Sequence, residues 1–96
     1  MTRKEILDKI NQIIEEEHGK EVTEKSLLTD CEIDSFGYAL LWLGLENDIV
    51  KTPEDVKVFS KEYTDSIDYS IYRVSEIIDK LEETSNVYRE LQNTKQ

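Results

Sequence analysis

The chain has 96 residues, 38% of them hydrophobic, with one proline and three glycines, which bounds it to one small domain with a modest core and no long internal linker. A formal net charge of −10 argues against nucleic acid and anionic membranes, because phosphate groups need a basic surface, and favours a partner with a basic docking patch. Cys31 is the single cysteine and His18 the single histidine, so neither an internal disulfide nor a cysteine–histidine zinc site is expected.

No apolar run approaches the roughly 18 residues of a membrane span. The N-terminus, Met1-Thr2-Arg3-Lys4, leads into charged helix and not into an apolar signal region. A reducing, cytoplasmic setting without membrane insertion is the expectation.

Thr2 and Glu5 have capping-box spacing, and Ile6, Leu7, Ile10, Ile13 and Ile14 form one helical stripe. The pattern predicts a helix from about Thr2 to Glu17. Gly19 suits a left-handed residue past its end, and His18 suits its last turn. Lys20 to Asp34 has no sustained period, and Val22, Leu27, Leu28 and Ile33 are spaced as plugs pinning a long loop over the core.

A second helix is predicted from about Ser35 to Val50. Ala39, Leu41, Trp42, Leu45 and Ile49 make its stripe, while Leu40 and Leu43 lie off it and offer an apolar contact surface. Gly44 would permit a close helix approach. Gly37 would leave the first turn bare beside Ser35, giving a partner or prosthetic group access. Thr52-Pro53-Glu54-Asp55 reads as another helix start, with Val56, Phe59 and Tyr63 as a short apolar face. Thr64 to Tyr69 reads as a turn. Ile67, Ile71, Val74, Ile78 and Leu81 predict the last core helix, with Ile77 beside them, Ser70 as its best cap and Ile71 as its first core residue. Thr84 to Gln96 reads as a polar tail or helix extension beyond a domain at 1–83. No strand pattern survives, and the expected fold is an all-α four-helix bundle with three longer helices and one short one.

Two chemical readings fail on the residues themselves. Asp30, Glu32 and Asp34 alternate like a calcium loop, but Ser35 stands where that loop needs glycine and Leu41 where it needs glutamate. A Ser35/His18/Asp34 hydrolase lacks the glycine elbow around its serine. What remains is Ser35 as an acceptor of covalent modification, at a helix start where free N–H groups favour an attached phosphate. The competing structural reading makes Ser35 an ordinary N-cap and Asp34 a turn residue. Cys31 reads as a loop residue between two acids.

Asp34-Ser35-Phe36-Gly37 opens an apolar helix that ends Leu45-Glu46-Asn47-Asp48-Ile49, after an amphipathic helix and a plugged loop in an acidic chain. This resembles the acyl carrier protein family, the phosphopantetheine-binding carrier domains, over about Ile6 to Leu81. Asp34, Ser35 and Phe36 stand where the family has Asp-Ser-Leu. The Asp-Ser-Phe-Gly variant is similar to D-alanyl and other specialised carriers.

The resemblance implies that a phosphopantetheinyl transferase attaches 4′-phosphopantetheine from coenzyme A to Ser35, flanked by Asp34 and Phe36. The arm would carry acyl or aminoacyl thioesters between loading and transfer enzymes, with chemistry in those partners and the carrier a monomer, not an enzyme. Asp34 would help hold a divalent ion in the complex with the modifying enzyme. Gly37, Leu40, Leu43, Glu46 and Asp48 would form the partner surface, more hydrophobic than is usual in the family because Gly37 and Leu40 stand where acids are common. The alternative expectation is a helical interaction module without a prosthetic group, binding through the Leu40/Trp42/Leu43 face.

Overall fold

The computed structural model describes residues 2–50 and 59–83. Among the described residues the fold is an all-α small bundle: α1 (Arg3–Glu16), α2 (Ser35–Leu45), the short α3 (Lys61–Ser66) and α4 (74–83), with no strand beyond an isolated bridge between Leu27 and Arg73. The helix start at Thr52 to Asp55, Val56, and the tail from Thr84 lie outside the described residues.

The capping box forms as read: the Thr2 hydroxyl accepts the Glu5 N–H at 3.1 Å, and the Glu5 carboxylate accepts the Thr2 N–H at 3.0 Å. Ile6, Ile10, Ile13 and Ile14 are buried on one face of α1. Its end differs from the expectation. His18 takes the left-handed conformation (φ 61°), and Gly19 does not. Gly19 is needed for space: a Cβ there would lie 2.5 Å from Ile33 Cγ2 and 2.6 Å from the Cys31 carbonyl oxygen.

The long loop is pinned by buried Val22 and Leu28, and by Asn11 on α1, whose side chain accepts the Val22 N–H at 2.8 Å and donates to the Val22 carbonyl at 2.9 Å. Leu28 to Cys31 form a 3-10 turn. Cys31 is not an ordinary loop residue but a buried one, its thiol 3.0 Å from the Leu28 carbonyl oxygen.

α2 starts at Ser35 as read, and beyond Leu45 it widens into a π-type turn over Glu46–Val50. Leu41, Trp42 and Leu45 are buried, whereas Ala39 is exposed. Gly44 faces α1, where an added Cβ would lie 2.7 Å from Ile13 Cδ1.

Two boundaries move in the second half. Residues from Lys61 to Ser66 are helical, capped by the Ser60 hydroxyl, so the predicted turn at Thr64 begins later. The last helix starts at residue 74, and Ile71 is 72% exposed instead of opening the core. Ser70 caps nothing: it donates to Asp68 in a tight turn. The cap comes from the long loop, whose Ser26 and Glu24 carbonyls accept the Val74 and Ser75 N–H groups at 2.9 Å each. The Glu76 carboxylate adds a side-chain contribution, accepting the Arg73 N–H at 2.8 Å. Val74, Ile77, Ile78 and Leu81 then complete the core with α1 and α2.

Candidate functional site

Ser35 is the first residue of α2 and is exposed. It is not the N-cap. Asp34 is, its Oδ1 accepting the Gly37 N–H at 2.7 Å while its backbone carbonyl accepts the Tyr38 N–H at 3.0 Å. The competing structural role for Ser35 therefore belongs to its neighbour. Among the described residues the Ser35 and Phe36 N–H groups have no acceptor, as expected for a helix's first turn. The second carboxylate oxygen of Asp34 makes no hydrogen bond among the described residues, and the residue is exposed.

Ser35 stands at the edge of an open cleft of about 420 Å³ between α2 and α3. Tyr38, Trp42, Tyr69 and Ile67 give it an aromatic and apolar wall, and Asp65 is its charged lining residue. The wall is an aromatic stack. Tyr38 lies on Tyr69 with ring centroids 4.5 Å apart, and Trp42 meets Phe59 at 4.9 Å. Tyr38 is anchored from behind, its hydroxyl donating to the buried Leu28 carbonyl at 2.8 Å. Burial first, and then the Cys31 thiol, push the Tyr38 hydroxyl above the usual tyrosine range, so it stays a neutral donor.

The residues predicted to form a partner surface divide. Phe36 is 68% exposed and Leu43 54%, with Leu40 half-buried between them. Their spacing of four and then three places them on one face of α2. Gly37 does not open that face. It is buried, and an added Cβ would lie 3.0 Å from Ile33 Cβ and 3.3 Å from the Asp34 carboxylate. Glu46 is not a free acid, because its Oε1 accepts the Phe59 N–H at 2.6 Å. Asp48 pairs with Lys9 of α1 at 2.8 Å and remains half exposed. Trp42 is buried in the aromatic stack, so it cannot share a binding face with Leu40 and Leu43. No hydrogen bond joins Ser35 to His18 among the described residues, and no group of three His, Cys, Asp or Glu among them could hold a metal ion.

Sequence reasoning missed the Tyr38–Tyr69 pair. Tyr38 carried a signal, standing three residues after Ser35 on the same side of a helix. Tyr69 sat in a segment read as a turn and carried none. No helix among the described residues is long and apolar enough to cross a membrane. No protein-family model, curated protein or solved structure matches the chain.

Proposed function

We propose that this protein is a carrier whose Ser35 hydroxyl receives 4′-phosphopantetheine from coenzyme A. The observation that carries the reading is an exposed serine hydroxyl at the first position of a central helix, on the rim of an open cleft and clear of capping duty. In the transfer, a bond forms between Ser35 Oγ and phosphorus, the hydroxyl proton passes to a base in the transferase complex, the pyrophosphate bond of coenzyme A breaks, and adenosine bisphosphate leaves. The residues fit such a group. Two first-turn N–H groups are available to phosphate oxygens. The free oxygen of Asp34 is available to a divalent ion brought by the transferase.

Once attached, the arm supplies a terminal thiol on which acyl or aminoacyl groups ride as thioesters. Tethering raises their effective concentration at loading and transfer enzymes. Phe36, Leu40 and Leu43 offer those enzymes an apolar docking strip, and the −10 charge steers basic surfaces toward it. A monomer in the cytoplasm is the setting this reading implies. Incubation with coenzyme A and a broad-specificity transferase tests it. Intact mass is expected to rise by one phosphopantetheine, mapped to Ser35 and lost in Ser35→Ala; an unchanged mass sinks the reading.

The exposure of Phe36 and Leu43 favours one other reading, a module that binds a partner helix through the Phe36/Leu40/Leu43 strip without any arm. The same mass measurement separates the two.

A further inference from the structure

Tyr38 lies one turn beyond Ser35 and forms part of the wall of the cleft that Ser35 also lines. Three contacts fix it. Its hydroxyl donates to the Leu28 carbonyl at 2.8 Å, its ring stacks on Tyr69 at 4.5 Å with 19° between planes, and Trp42 continues the wall at 6.5 Å. In the same core Leu28, Leu41 and Leu45 are buried to within 1% of complete.

We infer that the Tyr38–Tyr69 stack seals the bundle on the Ser35 side, so that a group carried at Ser35 rests in the aromatic cleft and does not enter the core. The inference rests on the carrier reading. Among the described residues, Tyr38 is the one that a cargo chain entering from the Ser35 side of the cleft would displace. That movement would unstack Tyr69 and strip the buried Leu28 carbonyl of its hydroxyl donor. Displacing Trp42 instead would break its own contact with Phe59, 4.9 Å away. The cargo class follows from the geometry. A long apolar chain kept outside the core leaves most of its carbons in water, an unfavourable state. Short or polar carboxylic acids incur little of that cost, and they are the thioesters this carrier suits. Tyr38 is thus the residue that sets cargo length.

The test loads the full chain at Ser35 from acetyl- and octanoyl-coenzyme A with a broad-specificity transferase. Mass is checked first, then the thermal midpoint and the rate of thioester cleavage by hydroxylamine. The two loaded forms are expected to melt within about 1 °C of each other and to be cleaved at equal rates. In Tyr38→Ala protein the octanoyl form is expected to melt above the acetyl form. A midpoint about 5 °C or more higher for the octanoyl form of the parent, as burial of its extra methylenes would give, overturns the inference and leaves the carrier reading standing. So does octanoyl thioester that resists hydroxylamine in the parent. Equal midpoints in Tyr38→Ala protein would remove Tyr38's role. Tyr38→Ala protein that does not fold leaves the parent comparison to decide. No added mass at Ser35 removes the carrier reading and this inference with it.

Discussion

Glu46 reaches from the end of α2 to the segment leading into α3, where its Oε1 accepts the Phe59 N–H at 2.6 Å. Phe59 is buried, and its ring packs on Trp42. The carboxylate therefore ties the wall of the cleft to the helix that carries Ser35. Glu46→Ala leaves a part-buried amide without its acceptor, and a loss of about 1–3 kcal/mol of unfolding free energy is expected. Glu46→Gln retains a neutral acceptor and is expected to lose less. Urea unfolding of both variants checks this; an alanine variant as stable as the parent rejects the tie. Any loss of partner activity in such a variant would need to be corrected for stability before Glu46 was assigned to docking.

Asp34 combines two roles that one substitution can separate. Its Oδ1 caps α2 through Gly37, and its charge stands beside the Ser35 hydroxyl. Asparagine caps about as well as aspartate, whereas alanine costs about 0.5–2 kcal/mol at an N-cap. Asp34→Asn is expected to keep the parent's stability and to slow arm transfer to Ser35. Asp34→Ala is expected to lose both. Parallel melts and transferase kinetics distinguish the roles, and transfer to Asp34→Asn at the parent's rate would confine Asp34 to capping.

The two close-packed glycines differ in what opposes a side chain. At Gly19 an added Cβ meets the Cys31 carbonyl oxygen at 2.6 Å, which is backbone and cannot step aside. At Gly44 it meets Ile13 Cδ1, the far end of a flexible side chain, at 2.7 Å. Gly19→Ala is expected to cost about 1–3 kcal/mol through overpacking, and Gly44→Ala clearly less, because Ile13 can change rotamer and helix propensity favours alanine. Chemical unfolding of the pair gives the order, and a reversed order would mean that α1 and α2 cannot adjust at Ile13.

This contrast also shows what the sequence made legible. Side-chain periodicity gave α1 to within a residue at each end and α2 at its start, because one isoleucine stripe and one leucine–tryptophan stripe bury in a single register; the end expected at Val50 falls at Leu45, where a π-type turn takes over. It placed Ser35 correctly at a helix start. It failed where backbone groups decide the outcome. The start of α4 is satisfied by the Ser26 and Glu24 carbonyls, so Ser70 was credited with a cap it does not make and Ile71 with burial it does not have. Gly19 was credited with a left-handed turn that His18 makes. The amide of Asn11, a residue that no periodicity singles out, brackets both backbone groups of Val22. Gly37 and Glu46 looked available for partners because spacing alone does not show what an atom already touches.

The N-terminal capping box gives a pH dependence with a definite sign. The Glu5 carboxyl is held below its ordinary value, first by the Thr2 backbone N–H and then by the Thr2 side chain. A carboxyl whose folded value is depressed adds stability above its unfolded value and loses it as pH falls through the folded one. Glu5→Gln preserves the capping-box geometry and cannot titrate. The parent's advantage over Glu5→Gln is therefore expected near neutrality and to shrink through the range just below the ordinary glutamate value. Thermal midpoints of both proteins across that range check it, and a difference that stays constant into acid rejects the assignment.

Phe36 and Leu43 expose more than half of their surface one above the other on α2, so their burial contributes little to the fold. Substitution at exposed positions away from caps and core is expected to change stability by no more than about 0.5 kcal/mol. Leu43→Glu is the cleaner probe, because Phe36 adjoins Ser35 and its loss would also disturb access to the hydroxyl. With the arm attached by a promiscuous transferase, Leu43→Glu is expected to weaken loading by the dedicated partner enzyme, mainly through faster dissociation, since removing apolar contact acts on residence more than on encounter. The charge-driven part is tested by salt. Rising ionic strength is expected to slow association of both proteins, and of Leu43→Glu somewhat more steeply, because the variant adds one acid to the groups that steer encounter. If Leu43→Glu were loaded as fast as the parent at every salt concentration, the apolar strip would be an incidental surface and docking would have to be sought elsewhere on the bundle.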